Sequence, residues 1–188
     1  MAVKRRAKAY SKRKPITNCR KSKKTQFSYV KQVPTQKIVK FNMGDVNGYR
    51  LGKYTIKMGI YTEEPIQIRD LSLEAVRQSL IKDMAVIFQK SFFLRCNVYP
   101  HNILRNNRVY SGGSKGERIQ TGMSKSFGSP EGRAATLRKH DAIFTAYFNG
   151  EESIPKVRAS FSKCNSKLPC KTRTVTEILN RPANTHTS

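Results

Sequence analysis

The sequence predicts an α+β fold of two layers, two helices against a mixed, mainly antiparallel sheet, carrying a basic N-terminal arm and a long internal loop. Three observations predict it. Strand-like and helix-like periods alternate along the chain. The strands are too few and too amphipathic for a doubly wound parallel sheet, whose strands are buried on both faces. Cations crowd the opening residues and one glycine-rich stretch, both outside the periodic segments.

The arm comes first. From Met1 to Lys40 there is no acidic residue, while Lys4, Arg5, Arg6, Lys8, Lys12, Arg13, Lys14, Arg20, Lys21, Lys23 and Lys24 crowd its first part. Like charges at this density repel one another, so residues 1–36 form an arm that stays mobile until phosphates neutralise it. Tyr10, Phe27 and Tyr29 interleave aromatic rings with the cations and offer stacking surfaces. The bland reading of the same residues is a solvated or targeting tail.

A single domain spans residues 37–179. Ile38, Val39 and Phe41 suggest a short strand before a turn-rich stretch from Asn42 to Gly52. Tyr54, Ile56, Met58 and Ile60 alternate with Thr55, Lys57 and Gly59, the period of a half-buried strand. After Pro65 a helix begins, with Asp70 or Ser72 as N-cap and Leu73, Val76, Leu80, Met84 and Ile87 at three- and four-residue spacing. That stripe is read as core rather than as a groove for a partner helix. Phe92, Leu94, Cys96 and Val98 form the next strand, which stops at Pro100. From Asn106 to Gly132 the periodicity dissolves into glycine, serine and cations, a long loop of the kind that is functional or disordered.

Order returns with Ala142, Phe144, Ala146 and Phe148, a strand that turns at Asn149 and Gly150. Pro155 suits the first turn of a second helix with Val157, Phe161 and Cys164 on one side, ending before Pro169. Thr172 to Val175 reads as a final strand, and residues 180–188 as a polar, frayed tail. No internal repeat is visible.

Function is bounded by charge. Against 37 lysines and arginines the chain has 12 aspartates and glutamates, a formal net charge of +25 on 188 residues. Such a surface seeks a polyanion, with nucleic acid, an anionic membrane, an acidic protein or plain solubility as the general readings. No stretch approaches the roughly 18 to 20 apolar residues of a spanning helix, and the basic opening is not followed by the apolar core of a secretory signal. A soluble, intracellular protein without a membrane partner is expected. Cys19, Cys96, Cys164 and Cys170 contain no CxxC pair, so structural or free thiols are expected and no metal.

Catalytic constellations are thin. His101, His140 and His186 lack a paired carboxylate, no nucleophile elbow occurs, and the run SGGSKGERIQTG lacks the Gly-Lys-Ser/Thr of a phosphate-binding loop. No enzymatic activity, cofactor or metal is expected. What the loop does offer is flexible backbone flanked by Arg105, Arg108, Lys115, Arg118, Lys125, Arg133 and Arg138, with Tyr110 for stacking and Gln120 and Thr121 for hydrogen bonds. These residue types suit RNA, which is recognised by shape, backbone contacts and stacking on unpaired bases. A disordered surface loop is the bland alternative.

The segment NVYPHNILRNNRVYSGGSKGERIQTGMSKSFGSPEGRAA, and within it RIQTGM followed by SFGSPEG, resembles the ribosomal protein family called L-sixteen in bacteria and L-ten-e in archaea and eukaryotes. EEPIQIRDLSLEAVRQS, RRAKAYSKRKPIT and KLPCKTR extend the resemblance from the N-terminus to about residue 179, in the archaeal and eukaryotic style. The resemblance implies a hammerhead-like α/β fold on large-subunit rRNA, in the cleft where aminoacyl-tRNA is accommodated, near the peptidyl-transferase centre and without a catalytic role. It implies as partners large-subunit rRNA, tRNA at the aminoacyl and peptidyl sites and neighbouring ribosomal proteins, with no homo-oligomer, in the cytoplasm.

The rRNA-binding residues expected are the eleven cations named above in the first part of the arm with Tyr10, and Lys125, Arg133 and Arg138. The loop implied to point towards tRNA is about Val109 to Thr121 with Arg105 at its base, and it places Arg108, Tyr110, Lys115, Arg118, Gln120, Thr121, Gly122 and Met123 there. The chain departs from the family at Pro100-His101, where Pro-Phe is frequent, at Ser129, where lysine is, and at Glu117, where aspartate is common. Outside the family resemblance, the competing class is a non-ribosomal basic nucleic-acid-binding protein, which accounts for the charge but not for RIQTGM and SFGSPEG.

Overall fold

The computed structural model describes residues 6–12, 24–28, 30, 32–106 and 128–179. In chain order its elements are β1 (Asn42–Gly44), α1 (Val46–Arg50), β2 (Ile56–Thr62), β3 (Ile66–Arg69), α2 (Asp70–Phe88), β4 (Phe93–Cys96), β5 (Asn102–Asn106), β6 (Ser129–Leu137), β7 (Ala142–Phe148), α3 (Ile154–Cys164) and β8 (Thr172–Ile178). The class is α+β. The expected single sheet is two sheets, one of five strands in the order β1-β4-β7-β2-β8 and one of three in the order β3-β6-β5. Every strand pairing in both is antiparallel, so the mixed component expected from the sequence is not found.

Period-two alternation builds the larger sheet. Ile56, Met58 and Ile60 of β2, Leu94 of β4, and Phe144, Ala146 and Phe148 of β7 point to one side and are buried. Against them lies the stripe of α2, where Leu73, Val76, Leu80 and Met84 have no exposed surface. Val157, Phe161 and Cys164 of α3 enter the same core, and Phe88 meets Phe148 at a ring separation of 5.0 Å. Burying side chains of this size stabilises the fold by about 1.5 to 3 kcal/mol each. Both long helices were legible because their apolar residues recur at helical spacing.

Four local expectations are corrected. The strand expected at Ile38, Val39 and Phe41 forms instead at Asn42–Gly44, opposite Arg95, Leu94 and Phe93. The amides of Lys37 and Val39 donate to the carboxylates of Asp70 and Glu74 on α2, so they are not free to join a ladder. Second, the turn-rich stretch holds the one-turn helix α1, capped by Asp45, whose Oδ1 accepts from Gly48 N at 2.8 Å. Third, the residues after Pro65 are strand β3, and α2 begins with Asp70 inside it and Arg69 at the cap. Fourth, β5 and β6 reach into the stretch 106–132 that reads as loop, since Ser129 to Gly132 belong to β6.

Candidate nucleic-acid interface

The three-stranded sheet carries the features that the charge pattern singled out. The chain between residues 106 and 129 leaves from the end of β5 and returns at the start of β6. Residues 6–12 of the arm dock on the same sheet. Tyr10 is buried there with Leu104 of β5 and Ala134 of β6. Its hydroxyl donates to Glu131 on β6, and the guanidinium of Arg69 lies 5.6 Å from its ring centroid.

The dock is held by backbone as well. Gln67 on β3 donates from Nε2 to Tyr10 O at 3.1 Å and from its amide to Ser11 O at 3.1 Å. Asn102 on β5 donates in turn to Gln67 Oε1 at 2.6 Å. Buried polar groups this well paired contribute about 1 kcal/mol per bond and cost more when one partner is removed. This segment of the arm is therefore seated on the domain by its own backbone and side chains. Tyr10, expected to stack on RNA, has its ring buried and its hydroxyl engaged, so its observed contacts are those of an anchor.

Docking leaves the cations outward. Arg6, Lys8, Lys12 and Lys24 are exposed, as is Arg138 at the turn between β6 and β7. Arg105, half-buried, stands next to the last residue of β5, at the base of the loop. Arg133 has been drawn into the fold: Nε donates to Pro34 O at 2.6 Å and Nη1 to Tyr99 Oη at 3.1 Å. It fastens the arm's exit to β6. Lys4, Arg5, Arg13, Lys14, Arg20, Lys21, Lys23, Arg108, Tyr110, Lys115, Arg118, Gln120, Thr121, Gly122, Met123 and Lys125 lie outside the described residues.

Two carboxylates on α2 complete the fastening. Asp70 accepts from the amides of Leu71 and Lys37, and burial pushes its carboxyl up from the usual value against the pull of those donors. Glu74 accepts from Val39 N at 3.3 Å, Gln78 Nε2 at 2.9 Å, and Arg77 Nε at 2.7 Å, with a second bond from Arg77 Nη2. The paired Arg77 guanidinium holds the Glu74 carboxyl below its ordinary range. A carboxyl depressed in the folded state stabilises above its unfolded pKa and loses that contribution as pH falls through its folded one. Glu74→Gln is expected to lower stability by about 2 kcal/mol at pH 7, with the deficit closing below about pH 4; urea unfolding at both pH values checks it.

Sequence reasoning missed Gln67, Arg69, Asn102 and Glu131, the residues that seat the arm. One signal was available: β3 reads IQIR with every residue buried, and a buried glutamine and arginine need partners from elsewhere in the chain. Among the described thiols, burial raises Cys96 and Cys170 to about 11 and keeps both protonated at neutral pH. Among the described residues, no group of three or more His, Cys, Asp or Glu converges as a metal site. No helix among them is long and apolar enough to cross a membrane.

Comparison with known proteins adds a specific likeness. The family model described as ribosomal protein L16p/L10e matches residues 15–175. The large ribosomal subunit protein uL16 of Pyrobaculum aerophilum is 36% identical over 154 residues, covering 81% of this chain and 84% of that protein. Its counterpart in Halorubrum lacusprofundi is 33% identical over 153 residues, 78% and 84% of the two chains. That of Sulfolobus acidocaldarius is 32% identical over 161 residues, covering 85% and 89%.

Proposed function

This chain belongs to the ribosomal protein L16p/L10e family, and from that premise we propose that it is a structural, non-catalytic constituent of the large ribosomal subunit in the cytoplasm. It binds large-subunit rRNA and helps shape the tRNA-binding cleft near the peptidyl-transferase centre. The observation that carries this reading is the continuity of the family match from the second part of the arm through the sheets and the intervening loop, residues 15–175.

Residues 1–36 act as the rRNA-binding arm of the domain 37–179, with Lys4, Arg5, Arg6, Lys8, Lys12, Arg13, Lys14, Arg20, Lys21, Lys23 and Lys24 placed on phosphates and Lys125 and Arg138 adding to them. Tyr10 and Arg133 support them from within the fold. The loop between β5 and β6 faces tRNA, with Arg105 at its base and Arg108, Tyr110, Lys115, Arg118, Gln120, Thr121, Gly122 and Met123 along it. Its partners are large-subunit rRNA, tRNA at the aminoacyl and peptidyl sites and neighbouring ribosomal proteins.

The loop assignment is tested by Arg118→Ala. Phosphate contacts spread over an arm are redundant, whereas one loop residue beside tRNA is not. The variant is expected to remain on large subunits while slowing subunit maturation or tRNA accommodation, read in polysome profiles and a tRNA-binding assay. Normal profiles and normal tRNA binding would remove the loop from the functional account.

A further inference from the structure

The five-stranded sheet has a second face, turned away from α2 and α3. Strand register sets rows of side chains across it. Phe93, Tyr147, Lys57 and Glu177 stand opposite one another in one row, and Arg95, Thr145, Gly59 and Val175 in the next. Tyr61 pairs with Arg173 beyond them. Arg95 and Arg173 are exposed, and Lys57, Tyr61 and Tyr147 are half-buried.

Two features make this more than a solvated face. Gly59 has no side chain where its neighbours in the row do, and a Cβ there would lie 2.7 Å from Cε2 and 3.1 Å from Cζ of Tyr61. The Tyr61 ring therefore lies back along β2 over Gly59, pressed to the sheet rather than standing in solvent. At the other end, Tyr49 of α1 stacks on Phe93 at 4.3 Å and meets Tyr147 at 4.7 Å. Tyr49, Tyr54, Tyr147 and Lys57 line a cavity of about 190 Å³ there. With the Tyr61 ring over Gly59, two residues from the row of Lys57 and Tyr147, the two aromatic sites stand about 7 Å apart along β2 at roughly 3.3 Å per residue, room for two neighbouring bases rather than one.

We propose that this face is a stacking platform for unpaired RNA nucleotides. One base lies on Tyr61 and another enters the tyrosine-lined cavity beside Tyr147, while the exposed Arg95 and Arg173 hold the intervening phosphates. Charge selects the occupant. The cations outnumber Glu177, which pairs with Lys57 at 2.8 Å, so the face favours a polyanion. The aromatic rings select among polyanions, because single strands offer base faces and duplexes hide them. The proposal rests on rRNA being the partner, and it adds a binding surface on the sheet opposite the helices, separate from the arm and the loop.

The test is fluorescence anisotropy of the full chain with a labelled single-stranded RNA decamer and with a duplex of equal length. Stacking is worth enough per base that Tyr61→Leu is expected to weaken single-strand binding about 10-fold while leaving duplex binding nearly unchanged. Tyr61→Phe, which keeps the ring, is expected to bind as wild type. Arg173→Glu, on the exposed edge strand β8, is expected to weaken single-strand binding in a protein of unaltered thermal stability, and it stands in if Tyr61→Leu does not fold. Unchanged single-strand affinity in both variants would overturn the proposal and assign the face to a protein neighbour. Sedimentation of the wild-type protein in parallel separates the two failures: presence on large subunits with no effect of either variant sinks the platform alone, and absence from them sinks the reading beneath it.

Discussion

Raising salt from 50 to 200 mM is expected to weaken RNA binding by this protein by about a thousandfold or more. The effect is electrostatic and needs no sequence preference. Each phosphate that a lysine or arginine neutralises releases condensed counterions, and added salt opposes that release, with a log–log slope of roughly −0.7 to −0.9 per contact. The chain carries 37 such cations against 12 carboxylates. Among the described residues, Arg77 is engaged by Glu74, Lys57 by Glu177, Lys163 by Asp83, and Arg133 by Pro34 O and Tyr99 Oη. Docking of residues 6–12 leaves Arg6, Lys8 and Lys12 on the surface. With about 6 to 10 contacts the predicted loss is 10³ to 10⁵, read by filter binding across a salt series. A slope near one would mean that most of these cations face solvent in the complex.

Gly44→Val is the substitution expected to cost the fold most. Gly44 ends β1 at φ +85°, in the left-handed region that glycine enters freely, where an ordinary side chain costs about 1 to 2 kcal/mol. Space is the larger problem. A Cβ at this position would lie 2.1 Å from the carbonyl oxygen of Phe92 and 3.0 Å from its carbonyl carbon. That oxygen accepts from Asp45 N at 2.8 Å, and Asp45 in turn caps α1, which carries Tyr49 onto Phe93. Relief of the clash therefore separates β1 from β4 and loosens α1 with it. A loss of about 4 kcal/mol is expected, a large share of the roughly 5 to 15 kcal/mol of a typical domain. Denaturant unfolding of the variant reads it directly, and a loss below about 1 kcal/mol would mean that β1 shifts at little cost.

The sequence and the structure agree where burial follows a simple period. β2, β4 and β7 alternate large apolar residues with polar ones, and α2 and α3 repeat theirs at helical spacing, so the three central strands of the larger sheet and its helical layer were legible. The smaller sheet was not. β3 buries all four of its residues, two of them polar, and β6 reaches the core through Ala134, Ala135 and Leu137, too small and too continuous to alternate. Its order comes from pairing with distant strands, which no local window contains. β1 was displaced for a related reason, since the amides expected to form it are taken by Asp70 and Glu74 from a helix thirty residues on.

The candidate site divides along the same line. Net charge and its concentration in the arm are properties of composition, and they were plain. How the arm is seated was hidden, because Gln67, Asn102 and Glu131 act through hydrogen bonds across long sequence separations. Tyr10 shows the limit most clearly: an aromatic residue among cations reads as an RNA stacker, and its ring is buried against Leu104 and Ala134 with its hydroxyl on Glu131. The tyrosines at the other sheet face are the reverse case, scattered in sequence at 49, 61 and 147: register sets Tyr61 and Tyr147 on that face, and α1 brings Tyr49 onto Tyr147.

The central claim is that this protein is a constituent of the large ribosomal subunit. Sucrose-gradient sedimentation of cell lysate at moderate and at high salt, with each fraction probed for the protein, tests it most directly. Co-migration with large subunits that persists through the high-salt wash is the predicted result, because the rRNA contacts proposed for the arm and the domain would act together. Recovery only in the light fractions at both salt concentrations would contradict the claim and return the chain to the class of basic nucleic-acid-binding proteins.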